Sequence, residues 1–213
     1  GLNGRVGYQP RGRGLGGSSA INAMIYIRGN RWDYDNWAEL GCTGWSYEDV
    51  LPYFKRAEHN VRGGDAYHGA SGPLWVSDQK WPNPGSVAFV EAAAQLQLPR
   101  NTDFNGEEQA GFGLYQVTQK NGERWSAARA YVEPKRGSKN LDVRIGVSVQ
   151  RLVIKDGRVT GVTYSVGDKE RTVTARGAVV LSAGAFNTPQ LLMLSGIGPG
   201  AHIKEHGIDV VLD

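Results

Sequence analysis

Hydrophobic positions in the first half of the chain recur mainly at helical spacing. Ser46 and Asp49 form the sequence pattern of a capping box, which predicts a helix from there to about His59. Pro52 falls inside this segment, so the helix is expected to be split or kinked. A second helix is predicted over 86–98, where apolar residues recur every three to four positions.

The glycine-rich N-terminal region leads into a third predicted helix. Apolar residues follow Gly17 at helical intervals, and Ser18 or Ser19 is available as an N-cap. The segment 60–86 is rich in Gly, Pro, Asn and Asp, which predicts a loop with one short strand over 74–77.

In the second half of the chain the pattern changes to the alternation typical of strands. A strand is predicted over 112–119, followed by a turn at Asn121 and Gly122. A short helix is then predicted, with Ser126 as its cap and Pro134 as its end.

An antiparallel meander is predicted next. Its strands are 141–145, 147–155, 158–166 and 170–175. Asp156 and Gly157 join the second and third strands with the sequence of a type I′ turn, in which both central residues need positive φ.

The last predicted strand and helix differ from the meander. Residues 178–183 form a continuous apolar run, which is typical of a buried strand in a parallel sheet and ends at Gly184. A helix is predicted over 187–198, with Thr188 as N-cap and Gly196 as its stop. A strand, a glycine and a helix in this order can bring a helix N-terminus beside an anionic group.

Composition and charge narrow the range of functions. The 213 residues allow one large domain or two small ones, and the basic residues behind the net charge of +3 are dispersed. Neither nucleic-acid nor membrane-surface binding is therefore expected. The single cysteine, Cys42, cannot form an intrachain disulfide, which favours a reducing, cytoplasmic compartment. Apolar runs are too short to span a bilayer, and because the sequence starts without Met it is expected to be part of a longer protein.

Two groups of polar residues resemble metal or catalytic motifs only in part. His202 and His206 are four residues apart and could share a helix face, but the glutamate between them is Glu205, so H-E-x-x-H is not matched. No metal site is expected there. Asp33 and Asp35 are expected to start a helix or bond to local backbone amides rather than to form a catalytic carboxylate pair.

The glycines at the N-terminal end spell a dinucleotide-binding fingerprint. Gly12, Gly14 and Gly17 read G-x-G-x-x-G, a motif that needs a strand before it and a helix after it. Pro10 and the glycines that precede it make a central strand there unfavourable. A purely structural turn is one alternative, and a loop that approaches a cofactor from another direction is the other.

Two long segments carry a family resemblance. Residues 10–29, PRGRGLGGSSAINAMIYIRG, resemble the first signature of the glucose-methanol-choline (GMC) family of flavin oxidoreductases, and residues 182–199, SAGAFNTPQLLMLSGIGP, resemble the second. Segments 37–60 and 121–132 are also similar to family sequences, so the resemblance covers nearly the whole chain. Within the family the chain is most similar to bacterial choline-dehydrogenase-like members.

The resemblance implies FAD as cofactor and a set of residues that contact it. The matching positions are Gly16, Gly17, Ser18, Asn22, Ala23, Met24, Val149, Ala183 and Gly184. The first six match the segment whose backbone amides and small polar side chain line the flavin and pyrophosphate. The seventh matches a strand position whose backbone contacts the adenine, and the last two match the point where the final parallel strand meets the cofactor. None of the residues here matches a catalytic position of the family.

The resemblance also implies a domain organisation. Residues 1–30 and 140–213 would be portions of an α/β FAD-binding domain, doubly wound and with an antiparallel meander, and residues 31–139 a portion of the substrate-binding cap region. Members with covalently bound flavin have a His where this sequence has Ile21, so non-covalent FAD is expected. The family's own G-x-G-x-x-G is expected upstream of this chain, and its catalytic His, with a second His or Asn, downstream.

The activity implied is oxidation of the CH–OH group of choline-like, aliphatic or aromatic alcohols, with hydride transfer to flavin N5. Electrons would pass to a quinone-type acceptor or to oxygen, and a homo-oligomer is possible. Two alternatives stay open: a non-redox lyase of the same family and a non-catalytic fragment. The chain alone is expected to show negligible alcohol oxidation, because the diphosphate loop and the base lie outside it.

Overall fold

The computed structural model describes residues 3–213, which form two compact units. The first unit extends to Leu141 and the second is Asp142–Asp213. Helices and short strands are mixed in both, as the predicted fold class requires. The assignment of 1–30 and 140–213 to a cofactor domain and of 31–139 to a cap region stays a prediction, and residues 1 and 2 lie outside the described residues.

Two capped helices open the first unit. Helix α1, Arg31–Glu39, begins after Asn30, whose backbone N–H donates to Asp33 Oδ2 over 2.7 Å. Asp35 Oδ1 accepts the backbone N–H of Tyr47 over 2.9 Å. Asp33 therefore binds a local backbone amide at its helix start, as the sequence predicts, whereas Asp35 binds an amide 12 residues away at the start of the next helix.

Helix α2 spans Tyr47–Ala57 and has the predicted capping box, in which Ser46 Oγ accepts from the N–H of Asp49. The expected split at Pro52 is wrong, because the helix runs through this residue. A proline removes only one intrahelical hydrogen bond. The packing of Phe54 on Tyr34 of α1, with ring centroids 5.7 Å apart, stabilises the turn that follows.

A parallel strand pair and a third helix follow. Strand β1, Glu58–Asn60, occupies the end of the predicted helix and pairs with β2, Leu74–Val76, which lies inside the predicted strand 74–77. Helix α3, Pro84–Gln95, begins two residues before the predicted start, because the Asn83 side chain caps it by accepting the N–H of Gly85 over 2.8 Å.

The helix predicted after Gly17 is wrong. A single 3₁₀ turn covers Gly17–Ala20, and the next helix does not begin until Arg31. The carbonyl of Met24 accepts the N–H of Thr118 over 2.8 Å, and Ile25 bridges to Val117. These contacts with a distant segment outweigh the local helical pattern.

The strand predicted over 112–119 is also wrong for most of its length. Only its last residue belongs to a strand, β3, Gln119–Lys120, which pairs with β4, Glu123–Arg124. The turn at Asn121 and Gly122 is confirmed, with φ of 53° and 81°. The remaining contacts of the segment are isolated bridges, of Phe112 to Arg100 and of Val117 to Ile25 and Ser77. Between them Gly113 packs closely on Asn101, since a Cβ there would lie 1.7 Å from the Asn101 carbonyl oxygen.

The short helix predicted after Ser126 is a different kind of turn. Ala128–Val132 is a π-helical turn, and Ser126 Oγ accepts the N–H of Arg129 over 3.4 Å. Pro134 does not end the segment but lies within a 3₁₀ turn, Glu133–Lys135. Proline fits the first turn of a helix, where its missing N–H would have no intrahelical partner.

The second unit is built on a three-stranded antiparallel meander. Its strands are β5, Ser148–Lys155, β6, Arg158–Val166, and β7, Lys169–Thr174. Asp156 and Gly157 have φ of 50° and 71°, which confirms the predicted turn. The strand predicted over 141–145 is not formed, because these residues have no ladder partner in the described part of the chain.

The buried parallel strand predicted over 178–183 is not formed either. Val180 is 83% exposed, and the segment has no ladder partner among residues 3–213. A strand needs a hydrogen-bonded neighbour, and apolar composition alone does not supply one.

Helix α4, Gly184–Leu194, starts three residues before its predicted beginning. Thr188 is therefore not the N-cap, although its Oγ1 accepts the N–H of Ala183 over 3.1 Å. The predicted stop at Gly196, with φ of 85°, is confirmed by a Schellman motif in which its N–H donates to the Met193 carbonyl. Helix α5, Gly200–Glu205, follows.

The hydroxyl of Ser195 links helix α4 to strand β5 in the second unit. Ser195 Oγ donates to the Leu191 carbonyl over 2.6 Å and accepts the N–H of Leu152 on β5 over 2.8 Å.

Across the described chain, none of the helices has the length and apolar character that a bilayer crossing demands. The buried apolar side chains of the second unit are Leu152, Tyr164, Leu191 and Ile203.

Candidate cofactor site

The loop from Gly12 to Met24 holds six of the nine predicted cofactor residues. It turns back on itself where the N–H of Gly17 donates to the Gly14 carbonyl over 3.0 Å and the N–H of Gly12 donates to Ser18 Oγ over 3.1 Å. A Cβ at Gly12 would lie 2.1 Å from the Gly17 carbonyl oxygen. The glycine motif therefore serves the close folding of the loop on itself.

Gly16 and Gly17 both have left-handed backbone but face different surroundings. Their φ angles are 88° and 54°. A Cβ on Gly16 would contact Ser126 and Ala128, whereas a Cβ on Gly17 would have no atom within 4 Å. Gly16 thus packs on the protein and Gly17 borders open space, which fits a backbone that a ligand approaches closely.

The end of the loop has an unusual backbone. Met24 adopts φ of 64°, a conformation that L-residues other than glycine rarely take. Its N–H donates to Asn22 Oδ1 over 3.0 Å and its carbonyl accepts from Thr118. Ala23 between them is exposed. Residues with a strained backbone, such as Met24, cluster at binding sites, where neighbouring contacts hold them in that conformation.

The other three predicted residues lie in the second unit. Ala183 is the N-cap of α4 and offers no side-chain cap, and Gly184, the first residue of the helix, has φ of 91° with no atom within 4 Å of its Cβ position. An open helix N-terminus of this kind fits an anionic group. Val149 is 46% exposed on β5, and the register against β6 shifts directly after it.

The structure thus gathers Gly16, Gly17, Ser18, Asn22, Ala23 and Met24 into one loop of the first unit. It also brings Ala183 and Gly184 together at a helix start in the second unit. In each group a glycine with positive φ borders open space. At both groups a dinucleotide could therefore approach the protein backbone closely, because no side chain stands in the way.

A buried polar network in the first unit has no local sequence signal. Glu58 is fully buried and accepts from Arg28 Nη2 over 2.6 Å. His68 lies between two carboxylates, with Nδ1 3.1 Å from Glu58 Oε1 and Nε2 2.9 Å from Asp103 Oδ2. Asn60 Nδ2 donates to Glu58 Oε1 over 3.0 Å.

The hydrogen bond from His68 to Glu58 raises the pKa of the imidazole above its ordinary value, against the opposing effect of burial, and Asp103 adds to the increase. His68 therefore carries its proton to higher pH than a free histidine. The members of the network are up to 75 residues apart along the chain, from Arg28 to Asp103. Only tertiary structure brings them together, and this is why sequence reasoning missed them.

A cleft of about 480 Å³ adjoins this network in the first unit. Its lining includes Arg28, Asn30, Tyr47, Tyr67, Asn105 and Gln109. Burial raises the pKa of the Tyr47 hydroxyl above its ordinary value. At neutral pH this group is a neutral hydrogen-bond donor, as any tyrosine is.

The histidines considered for metal binding lie at α5. The rings of His202 and His206 are 4.8 Å apart, so the two side chains share one face as the spacing predicts. Within residues 3–213, no cluster of three or more His, Cys, Asp or Glu side chains has the arrangement of a metal site.

Comparison with known proteins gives the same family as the two sequence signatures. The GMC oxidoreductase family profile matches residues 2–209. The chain is 48% identical over its whole length to an oxygen-dependent choline dehydrogenase of Rhizobium etli, of which it covers 38%. The chain therefore spans well under half of the length of the curated relatives it matches.

Solved structures give the same result. The chain superposes on pyridoxine 4-oxidase from Mesorbium loti with a TM-score of 0.88 and 36% identity, over 95% of this chain and 40% of that one. An FAD-dependent oxidoreductase from Chaetomium thermophilum gives a TM-score of 0.83 and 30% identity, over 92% of this chain and 37% of that one. FAD, the cofactor expected from the sequence, is the cofactor of this family. The chain belongs to the GMC oxidoreductase family.

Proposed function

We propose that the protein containing this chain is an FAD-dependent oxidoreductase acting on the CH–OH group of choline-like alcohols. The observation that carries the proposal is the 48% identity to an oxygen-dependent choline dehydrogenase over 100% of the chain. Both family signatures lie within that match, so the substrate class and the cofactor are proposed to be shared.

The chain's own contribution is to hold the cofactor. When bound, FAD accepts the hydride that leaves the alcohol carbon. The turn at Gly16, Gly17 and Ser18 would line it with backbone, because the Cβ position of Gly17 opens into free space. Asn22, Ala23 and Met24 would continue this wall, with the left-handed turn at Met24 fixing its direction.

The second unit would contact the cofactor through backbone as well. Ala183 and Gly184 would face it at the start of α4, where the positive end of the helix dipole favours an anion. Val149 would contact the adenine through its backbone. The register shift beside Val149 supports this role, since a bulge diverts backbone groups from the ladder.

The flavin is proposed to be bound non-covalently. Ile21 stands where covalently flavinylated members have a histidine, and its side chain carries no nucleophile. Precipitating the full-length protein with acid should release all of the yellow chromophore into the supernatant. Flavin that stays with the precipitated polypeptide would contradict this proposal.

Substrate and proton transfer would depend on other groups. Residues 31–139 would supply part of the substrate side, and a histidine downstream of this chain would remove the hydroxyl proton. A quinone-type compound or oxygen would take up the electrons. A cytoplasmic location and a homo-oligomer belong to the same proposal, the former because the exposed Cys42 is the sole cysteine.

Anaerobic mixing of the full-length protein with choline and with a panel of primary alcohols tests the activity. Bleaching of the visible absorbance of the oxidised flavin is the expected result with at least one alcohol. Flavin that is bound but stays oxidised with every alcohol would overturn the oxidoreductase and favour a non-redox lyase. Absence of flavin from the purified full-length protein would overturn the cofactor itself.

A further inference from the structure

Arg124 joins the loop from Gly12 to Met24 to a distant part of the first unit. This half-buried residue ends β4 and lies 105 residues along the chain from Ser19. Its Nη1 donates to the Ser19 carbonyl over 3.1 Å and to Asn22 Oδ1 over 2.9 Å. A single guanidinium nitrogen therefore fixes the loop at two points.

The second of these points controls the left-handed turn. Asn22 Oδ1, which Arg124 binds, also accepts the N–H of Met24 over 3.0 Å. Met24, with φ of 64°, would leave this conformation if its contacts were released, because L-residues disfavour it. Arg124 thus stabilises the turn by holding the asparagine that caps it.

Among residues 3–213, Arg124 has no carboxylate partner that competes with the loop for its charge. The adjacent carboxylate, Glu123, pairs with Arg129 over 2.7 Å, and Arg129 Nη1 donates to the backbone carbonyl of Arg124. In the described part of the chain, Arg124 itself forms no salt bridge. Its guanidinium is therefore available to the oxygens of the loop.

We propose that Arg124 is a positioning residue for the cofactor, which it affects through Ser19 and Asn22; this inference rests on the proposed FAD site. Arg124 holds the segment from Ser19 to Met24 in one conformation before FAD binds. Binding then requires little ordering of the loop, and this preorganisation increases affinity.

The test is Arg124→Ala in the full-length protein. We expect the Kd for FAD to rise roughly ten- to a hundredfold, since two hydrogen bonds from a charged donor are lost. The visible circular dichroism of the remaining bound flavin should also change, because its surroundings become variable. Arg124→Lys keeps the charge and one donor, and should recover part of the affinity and of the spectrum.

Arg129→Ala is the matched control. It removes a neighbouring guanidinium from the same segment but one that contacts Glu123 and the Arg124 backbone, not the loop. We expect its Kd and flavin spectrum to stay close to those of the wild type. An equal loss in Arg129→Ala would show that destabilisation of the segment is the cause and would overturn the proposal.

Wild-type affinity and an unchanged flavin spectrum in Arg124→Ala would also overturn it. If that variant does not fold, Arg124→Gln decides, because the shorter neutral amide loses the double contact; wild-type behaviour in Arg124→Gln would then refute the role. Failure of the proposed function looks different, since in that case the wild-type protein itself would bind no FAD.

Discussion

The two groups of residues assigned to the cofactor differ in how their conformation is maintained. The loop from Gly12 to Met24 is fixed by hydrogen bonds from Arg124, Thr118 and Ala127, all within its own unit. In the described part of the chain, residues 178–182 have no comparable hydrogen bond, and Val180 is largely exposed. A tight turn can be specified by its own unit, whereas a parallel strand depends on neighbours beside it. The first group is therefore preorganised, and the second is a helix start that follows an unpaired segment.

The largest expected effect tests whether the first unit has a rigid framework of its own. Glu58→Gln removes the charge that pairs with Arg28 and His68 in a fully buried position. We expect a loss of about 3–5 kcal/mol in the free energy of unfolding of this unit, because a buried charge loses its partner. Hydrogen exchange followed by mass spectrometry should show faster exchange in β1 and β2, with the β5–β7 meander unchanged.

The control for this prediction is Glu48→Gln. Glu48 pairs with Arg31 over 2.8 Å, but both side chains are exposed, so a change below about 1 kcal/mol is expected. A loss from Glu58→Gln that is no larger than that from Glu48→Gln would contradict the idea of a rigid framework built on the buried charges.

A pair of glycine substitutions compares the two groups directly. In Gly12→Ala the new methyl group would lie 2.1 Å from the Gly17 carbonyl oxygen, so we expect a loss of about 1–3 kcal/mol from overpacking and a weaker FAD complex. In Gly184→Ala the methyl group would enter open space, and the cost is about 1–2 kcal/mol from its φ of 91°.

The two substitutions should separate stability from cofactor affinity. If FAD passes close to Gly184, its alanine variant should lose more affinity than its small loss of stability explains. Titration of the apoprotein with FAD, combined with thermal unfolding of the apoprotein, measures both quantities. Unchanged affinity in Gly184→Ala would remove this position from the site.

The smallest effect is a pH dependence confined to the first unit. The pKa of His68 is raised above the ordinary value of 6.5 by Glu58 and Asp103, so the folded state binds the proton more tightly than the unfolded state. The stabilisation is complete below pH 6.5 or so and is lost as pH rises through the higher folded-state pKa. Denaturant unfolding of the full-length protein between about pH 6 and 9 should show stability decreasing across this range.

His68→Gln is the matched variant for the pH series. It keeps a polar side chain but cannot take up a proton, so the part of the slope that comes from this residue should disappear. A slope that is the same in the variant and the wild type would assign the pH dependence to other groups.

Local sequence patterns predicted the parts of the fold whose hydrogen bonds are local. The capping box of Ser46 with Asp49, the hairpin turn at Asp156 and Gly157, and the helix stop at Gly196 all involve residues within a few positions of each other. Their geometry depends on φ preferences and short-range donors, which the sequence states directly.

Predictions that required a distant partner failed. The apolar spacing after Gly17 resembles a helix, but the contacts of Met24 with Thr118 and of Ile25 with Val117 hold a non-helical backbone instead. The run at 178–183 has the composition of a buried strand without a ladder partner among residues 3–213. The ion pair of Arg28 with Glu58 was missed for the same reason, because no local sequence pattern around either residue indicates the other as its partner.

Eight of the nine predicted cofactor residues, all except Val149, could be assigned from the two signatures because motif residues are adjacent in sequence. The residue proposed to hold the loop in position, Arg124, could not, because its role depends on hydrogen bonds across 105 and 102 residues of chain. Sequence reasoning therefore proposed the residues that line the cofactor, and the structure was needed to propose a residue that supports them.

The hydroxyl of Ser195 has a consequence for the behaviour of the protein in concentrated solution. Strand β5 is at the edge of the meander, and edge strands with free N–H groups invite pairing with strands of other molecules, which leads to aggregation. Ser195 occupies the N–H of Leu152 in the middle of that edge, while the opposite edge, β7, presents the charged side chains of Lys169, Glu170 and Arg171. A helix end and a charged strand thus protect the two borders of one small sheet from intermolecular association.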